Sequence, residues 1–154
     1  ISEAEIKQPL PAWLAELAHY EWVELAVDIM DSATPDHDPQ GNLLIGRPVL
    51  NPCLMNLAYQ WPVHKIGPDY RPRKQQPIQL LVYRDIDDKV QFVASNPVTA
   101  RLVALLENET LTGRAACLRI AEELQHPKPE TLVAHGLAML EQLRQQGIIL
   151  GVRQ

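Results

Sequence analysis

The amino-acid sequence predicts an α+β fold in which a small antiparallel sheet is joined to three helices. Three observations lead to this prediction. Two short segments rich in β-forming residues, 78–83 and 89–93, lie on either side of a turn-forming stretch, as they do in a β-hairpin. Three helical patterns follow, and they begin near Pro97, Thr112 and Pro129. An apolar run, Ile148-Ile149-Leu150, then predicts one more strand near the end of the chain.

A separate helix is predicted before this region. Pro9 and Pro11 favour a helix start, because a first turn leaves unpaired the amide hydrogen that proline lacks. Apolar residues at helical spacing then predict one buried face, made of Leu14, Leu17, Ala18, Trp22, Leu25, Ala26 and Ile29. The polar stretch that follows is rich in turn formers. We therefore expect residues 1–31 to be the C-terminal part of a truncated helical domain, residues 32–42 a linker, and residues 43–154 the α+β domain.

The α+β region opens with two short candidate strands, residues 43–45 and residues 54–59. The prolines around them confine both to sheet edges or strand ends, since proline cannot donate a hydrogen bond to a neighbouring strand. The clearest β signal comes next. Residues 78–83 and 89–93 are the two arms of the hairpin, and the turn former Asp85-Ile86-Asp87-Asp88 lies between them.

The three helices have recognisable ends as well as apolar faces. Asn96 can cap the first helix, with Pro97 at its first position, and Thr112 can cap the second. Pro129 starts the third helix, and Gly147 occupies the place just beyond its end where glycine is favoured. A hairpin joined to three helices is the arrangement of winged-helix modules. Such modules bind either DNA or peptides.

The distribution of charge bears on that choice. The formal net charge of −5 is carried entirely by the first 30 residues, so the rest of the chain is balanced. Duplex binding usually needs a basic face, because phosphate contacts supply most of the affinity. The local cations between Lys65 and Lys74 are interpreted as a solvated loop. The third helix offers Glu130 and Glu141 against Arg144, which is a poor match to a duplex. Charge therefore favours peptide over DNA.

No catalytic or metal-binding constellation is readable in the sequence. Asp36-His37-Asp38 contains three potential ligands, but adjacent residues rarely converge on one ion, and the other histidines lack ligand spacing. Cys53 and Cys117 lie far apart in apolar segments, which favours buried thiols over a disulfide. We therefore expect no enzyme activity, no metal and no cofactor. A small-molecule sensor with an aromatic pocket stays open as a further possibility.

The expected location is the cytoplasm. No apolar run reaches the roughly 18 residues that a membrane span needs. The N-terminal residues lack a basic stretch followed by an apolar one, so a secretory signal is not expected either.

Four ordered segments are specific enough to compare with known families. They are residues 14–25 (LAELAHYEWVEL), 57–69 (LAYQWPVHKIGPD), 81–85 (LVYRD) and 95–102 (SNPVTARL). Together they resemble the HvfC family, whose members carry a further helical domain before this point and are often labelled as DNA-binding domain proteins. The resemblance implies a partner protein in the maturation of ribosomally synthesised, post-translationally modified peptides. Such a partner helps to present the leader of a Cys-rich, metal-binding precursor peptide to an iron-dependent modifying enzyme.

A peptide-binding winged helix needs a free sheet edge and an apolar groove along a helix. The candidate peptide contacts are Leu80, Val82 and Arg84 on the first arm of the hairpin, and Leu137, Leu140 and Arg144 on the third helix. Ordinary sheet and core packing is an equally open interpretation of the apolar ones. Trp61 and His64, in the loop before the hairpin, are the candidates for contact with the enzyme. The alternative function is a DNA-binding transcriptional regulator.

Overall fold

The computed structural model describes residues 10–108 and 110–154, and within them the chain has the predicted α+β architecture. The helices are α1 (Leu14–Asp28), α2 (Pro97–Leu106), α3 (Gly113–Glu123) and α4 (Pro129–Gln146). The strands are β1 (Arg47–Leu50), β2 (Leu54–Tyr59), β3 (Ile78–Arg84), β4 (Val90–Ser95) and β5 (Ile149–Arg153). A short 3-10 turn, Val63–Lys65, follows β2.

Strands β2, β3 and β4 form an antiparallel sheet with β3 in the centre. Because side chains alternate along a strand, β3 contributes to two cores. Leu80 and Val82 pack with Val23 and Val27 of α1 on one face of the sheet. Leu81 packs with residues of α2, α3 and α4 on the other face. The sheet is therefore the middle layer of three.

The last strand belongs to a different sheet from the hairpin. β5 pairs with β1 in a two-stranded antiparallel ribbon, in which Arg47 faces Arg153. The strand that the sequence predicts at the end of the chain is thus present, but its partner is β1 and not an arm of the hairpin. Ile148 and Ile149 are fully buried in the core beneath α4.

The predicted helix ends are confirmed. The Asn96 side chain accepts a hydrogen bond of 2.8 Å from the amide of Thr99, at the start of α2. The Thr112 hydroxyl accepts one of 3.1 Å from the amide of Ala115, at the start of α3. Gly147 ends α4 with a φ of 85°, a left-handed conformation that glycine adopts without strain. Local sequence chemistry therefore determines these ends.

Two predicted boundaries are wrong. Residues 43–45 form a turn and not a strand, because the Asn42 side chain accepts hydrogen bonds from the amides of Leu44 (2.9 Å) and Ile45 (3.0 Å). Such local bonds compete with strand pairing, and the strand begins at Arg47 instead. The helix predicted to start at Pro9 and Pro11 begins only at Leu14, after Pro11. Pro9 lies outside the described residues.

The predicted buried face of α1 is also wrong. Trp22, Leu25 and Ile29 are 54%, 59% and 69% exposed, whereas Val23 and Val27 are fully buried. The helix is therefore rotated so that a neighbouring, narrower apolar stripe meets the sheet. Trp22, Leu25 and Ile29 lie on the side of α1 away from the sheet, whereas Leu17 of the same predicted face packs partly buried against the core beneath α1.

Polar contacts at both ends of α1 fix this rotation. Near its start, the Glu16 carboxylate accepts hydrogen bonds from the amides of Gln60 (3.0 Å) and Trp61 (2.9 Å). At its end, the Arg84 guanidinium donates to the carbonyl of Asp28 at 2.9 Å. A carboxylate and a guanidinium form stronger hydrogen bonds than neutral groups do. Hydrogen bonds that involve Glu16 at one end and Arg84 of β3 at the other therefore hold the helix in place, together with the buried Val23 and Val27.

The segment between α1 and β1 is partly tied to the ribbon. Asp38 exchanges two backbone hydrogen bonds with Val152 of β5, at 2.8 and 3.0 Å. Helix α1 packs on the sheet formed within residues 43–154. The division into residues 1–31, 32–42 and 43–154 stays a prediction.

Candidate functional site

The predicted peptide contacts on the hairpin lie in the centre of the sheet. β3 is paired on both sides, so a peptide cannot join it as a further strand. Leu80 and Val82 are 2% and 0% exposed and pack beneath α1. Their predicted contact with a peptide is therefore corrected to a role in the core. Residues 80–83 are an unbroken apolar run, which is consistent with a strand that is buried on both faces.

Arg84, the third predicted contact on β3, holds the end of α1. Its guanidinium donates to the carbonyls of Val27 (3.3 Å) and Asp28 (2.9 Å), which a helix end leaves without intrahelical partners. It also donates to the Cys53 sulfur at 3.3 Å and lies 3.6 Å from the Asp88 carboxylate. These contacts give Arg84 a structural role at the end of α1, and its predicted contact with a peptide stays a prediction.

The predicted contacts on α4 point mostly inward. Leu140 is fully buried, and Leu137 packs partly buried against the same core. The Arg144 guanidinium donates to the carbonyl of Gly41 at 2.7 Å, which ties α4 to the turn before β1. Leu140 is therefore corrected to a core residue, whereas the peptide contact predicted for Arg144 stays a prediction. Other residues of the same helix line an accessible groove.

The outer edge of β4 is open, since no described strand lies beyond it. At the hairpin end, the Asp85 amide donates to the Lys89 carbonyl at 2.8 Å. Along an antiparallel pair, hydrogen-bonded and non-hydrogen-bonded positions alternate. Lys89 faces β3, so every second residue after it along β4 does the same. The amides of Gln91, Val93 and Ser95 therefore point toward β3. The amides that point outward belong to Val90, Phe92 and Ala94.

A groove runs beside this open edge, between β4 and α4, and we call it the β4–α4 groove. Its lining residues are Leu81, Val93, Ala94, Ser95, Asn96, Thr99, Met139, Gln142, Leu143 and Gln146. None of them is charged. Val93, Met139 and Leu143 supply apolar surface, and the glutamine amides can donate and accept hydrogen bonds. The groove therefore suits uncharged side chains that project from an extended chain laid along β4.

The outward surface of α4 bears on the DNA alternative. Glu130 forms an ion pair with Arg114 of α3, and Glu141 is exposed. Arg144, which is the only lysine or arginine of α4, is held by the carbonyl of Gly41. A duplex placed against this helix would meet carboxylates, which oppose phosphate binding.

Trp61 and His64 lie in the loop after β2. Trp61 packs against the core beneath α1, on the opposite side of the sheet from the β4–α4 groove. His64 is exposed at the short 3-10 turn, where partial desolvation and the neighbouring Lys65 lower the pKa of its imidazole. His64 is therefore open to a protein partner, and a partner there would leave the groove free.

Tyr59, in the layer beneath α1, makes the stability of the fold depend on pH in the alkaline range. Its hydroxyl shares a hydrogen bond of 2.8 Å with Nδ1 of His19, and the residue is 4% exposed. Burial, with smaller effects from Glu16 and Tyr20, raises the pKa of Tyr59 to about 12. An unfolded tyrosine ionises near pH 10. The unfolded chain therefore loses a proton that the folded chain keeps, and the free energy of unfolding falls as pH rises above about 10.

We predict that Tyr59→Phe reduces the loss of stability between about pH 10 and about pH 12. Urea denaturation at a series of alkaline pH values measures this loss. Tyr70→Phe, at a site that is 41% exposed, is the control and should keep the loss of the unaltered chain. An unchanged alkaline loss in Tyr59→Phe would contradict the assignment.

The described residues offer little other side-chain chemistry. Among them, no group of three or more His, Cys, Asp or Glu residues is placed to hold a metal ion. Cys53 and Cys117 are buried free thiols, and burial raises the pKa of Cys117. None of the described helices combines the length and the apolar character that crossing a membrane requires.

None of the ten residues that line the β4–α4 groove was among the predicted peptide contacts. Met139, Gln142 and Gln146 lie at i, i+3 and i+7, so they share one face of α4 beside the buried stripe. That spacing was the one feature of the sequence that indicated a shared surface on α4. It could not be interpreted without knowing that β4 is the neighbouring edge.

Comparison with known protein families finds a match for most of the chain. Residues 51–144 match the family model described as HvfC C-terminal domain. The matched region includes the three-stranded sheet, α2, α3 and nearly all of α4, and so it contains every lining residue of the β4–α4 groove except Gln146. No curated protein matches the chain.

Proposed function

The chain belongs to the HvfC family, and from this premise we propose that it is a non-catalytic adaptor in the maturation of a ribosomally synthesised, post-translationally modified peptide. It binds the leader of a Cys-rich precursor and brings that precursor to an iron-dependent modifying enzyme. The observation that carries the proposal is the open edge of β4 beside a groove without charged side chains. This role would place the protein in the cytoplasm, where such precursors are made.

The leader would bind by strand addition. Outward amides and carbonyls at Val90, Phe92 and Ala94 would pair with the peptide backbone, which supplies affinity that depends little on sequence. Alternate peptide side chains would enter the β4–α4 groove, which supplies specificity. Apolar side chains would contact Met139 and Leu143, and polar ones would bond the amides of the groove.

The modifying enzyme would bind elsewhere on the molecule. Trp61 and His64 are the proposed contacts, and they lie outside the β4–α4 groove. Precursor and enzyme could then be held at the same time. An adaptor of this kind works by raising the local concentration of one partner at the other.

Parallel titrations test the proposal. A synthetic Cys-rich precursor peptide with its leader, taken from the same gene neighbourhood, is titrated against the chain, and a labelled DNA duplex is titrated separately over a range of salt concentrations. We expect saturable peptide binding with weak salt dependence, because the groove is uncharged. We also expect the iron-dependent modifying enzyme encoded in the same gene neighbourhood to co-purify with the chain.

The DNA alternative predicts the opposite pattern. Tight duplex binding that weakens steeply with salt, without peptide binding, would overturn the adaptor proposal. In that case, the affinity would have to come from the cations between Lys65 and Lys74, because α4 presents carboxylates to a duplex.

A further inference from the structure

A polar cavity lies at the end of the three-stranded sheet, beside the last turn of α4. Its volume is about 570 Å³, and five segments of the chain line it. They are residues 32–37 before β1, residues 51–53 before β2, the end of β3 with the hairpin turn, the end of α4, and the start of β5. A volume of this size is usual for sites that bind small ligands or protruding side chains. The cavity therefore has room for part of a bound molecule.

Two arginines that the sequence predicts as peptide contacts meet at this cavity. Arg84 belongs to the end of β3 and Arg144 to the last turn of α4, and both line the cavity. The tertiary structure thus brings together two guanidinium groups from distant parts of the chain. We call this space the Arg84–Arg144 cavity.

Both guanidinium groups are held in place by backbone carbonyls. Arg84 donates to the carbonyls of Val27 and Asp28. Arg144 donates through Nη1 to the carbonyl of Gly41 at 2.7 Å. A guanidinium carries five N–H donors, so Arg144 keeps donors for an acceptor inside the cavity. Because the side chain is already fixed, little conformational entropy is lost when a ligand binds it.

Two carboxylates also line the cavity, but neither neutralises Arg144. The Asp85 carboxylate accepts hydrogen bonds from two amides and one side-chain amide within the hairpin. The Asp88 side chain is 89% exposed and lies 3.6 Å from Arg84. Among the described residues, Arg144 has no carboxylate within ion-pair distance. Its positive charge is therefore available to an anionic group.

The Arg84–Arg144 cavity continues the β4–α4 groove. Gln146 lines both of them. Strand β4 has six residues and starts just after the hairpin turn, whose residues also line the cavity. A peptide that pairs with the whole of β4 therefore has its next residues beside the cavity.

We infer that the Arg84–Arg144 cavity binds the carboxylate of an aspartate or glutamate side chain of the leader, just beyond the segment that pairs with β4. This inference rests on the proposed function. A carboxylate matches the planar fork of a guanidinium, and hydrogen bonds between charged groups are stronger than those between neutral ones. The groove then selects uncharged side chains, and the cavity adds one acidic position. A single contact of this kind is compatible with the weak salt dependence expected above.

An exchange of carboxylates for amides in the precursor peptide tests the inference. Each aspartate and glutamate of the leader is replaced, one at a time, by asparagine or glutamine. The fluorescence anisotropy of the labelled peptide then gives its affinity for the intact chain. We expect one position at which the exchange weakens binding about tenfold, and no effect at the others.

Arg144→Gln identifies the partner of that carboxylate. We expect this variant to bind the unaltered peptide about tenfold more weakly, and to bind the sensitive amide-exchanged peptide equally well, because both changes remove one shared contact. Arg119→Gln, at a 58% exposed side chain of α3, is the control and should keep the tenfold difference between the two peptides. A purely structural role of Arg144 would weaken both peptides alike and leave that difference in place.

Ile86→Glu tests the cavity without a change to either arginine. Ile86 lines the cavity and is 98% exposed, so its replacement should not disturb the core. The added carboxylate should repel the acidic side chain and weaken binding about threefold. Ile86→Gln should have no such effect, and neither should Ile45→Glu, at a 78% exposed site outside the cavity. Thermal melts verify that each variant is folded.

Three results would rule the inference out. They are binding of a leader whose carboxylates can all be exchanged without loss, a carboxylate effect that persists in Arg144→Gln, and equal effects of Ile86→Glu and Ile45→Glu. In each of these cases the precursor still binds, so the adaptor proposal stands. A precursor that does not bind the unaltered chain would end both proposals, and the two failures are thereby distinguished.

Discussion

Gly113→Ala is expected to destabilise the fold strongly, because the added methyl group would meet backbone atoms. A Cβ atom at this position would lie 1.8 Å from the carbonyl oxygen of Leu43 and 3.0 Å from Cδ1 of Leu140. The first obstacle is backbone, so no change of rotamer relieves it. We expect a loss of about 3 kcal/mol or more in the free energy of unfolding.

The backbone around Gly113 cannot easily move away. The Gly113 amide donates to the Gly46 carbonyl at 3.1 Å, and the Arg114 amide donates to the Leu44 carbonyl at 3.0 Å. These bonds join the start of α3 to the turn at residues 43–46. A shift large enough to admit a methyl group would break them.

Gly67→Ala is the matched control, because among the described residues no atom beyond its two chain neighbours lies within 4 Å of a Cβ placed there. We expect its stability to stay within about 0.5 kcal/mol of the unaltered chain. Urea denaturation followed by circular dichroism compares the two variants. Equal stabilities would show that the junction between α3 and the turn is looser than the structure has it.

Ala94→Pro is expected to abolish binding of a leader peptide while leaving the fold intact. The Ala94 amide points away from β3, so proline removes no bond within the sheet. The ring, however, projects toward the place of the added strand and removes a donor there. We expect the affinity for the precursor peptide to fall about a hundredfold, equivalent to roughly 3 kcal/mol.

The opposite edge of the sheet provides the control for Ala94→Pro. The Arg84 amide donates to the Cys53 carbonyl at 3.1 Å, so Cys53 and every second residue after it along β2 face β3. Ala58 lies between two of these residues, and its amide therefore points outward. Both alanines are exposed. Ala58→Pro should therefore keep full peptide affinity. If it abolished binding and Ala94→Pro did not, the leader would lie on β2, and the β4–α4 groove would be the wrong site.

Several features of the fold were predictable because they depend on neighbouring residues. Asn96 and Thr112 cap helices through amides three residues away, and Gly147 ends a helix through its own backbone freedom. The hairpin of β3 and β4 was predictable for the same reason. Its Asp85 side chain accepts hydrogen bonds from the amides of Asp87 and Lys89 inside the turn.

The rotation of α1 was not predictable, because two apolar stripes compete on that helix. One contains Trp22 and Leu25, and the other contains Val23 and Val27. Hydrophobic periodicity favoured the larger stripe. The sheet instead receives the smaller one, where Tyr20 packs against Phe92 with ring centroids 5.1 Å apart.

The sequence predicted which secondary-structure elements enclose the candidate site, but not which of their residues line it. A hairpin and the third helix were the expected walls of a peptide site, and β4 and α4 do enclose the groove. The expected residues Leu80, Val82 and Leu140 are core instead. Their hydrophobicity is what drew attention to them, and it is also what buries them.

The sequence by itself determined the α+β class, the starts of α2 and α3, the end of α4, the hairpin and the family, because each of these rests on short-range chemistry or on residue order. Only the tertiary structure decided that β2 pairs with β3. That pairing moves β3 to the centre of the sheet and leaves β4 as the edge beside α4. It also decided which stripe of α1 is buried. Both decisions depend on contacts between residues far apart in the chain, and no local pattern encodes which of several suitable surfaces will meet.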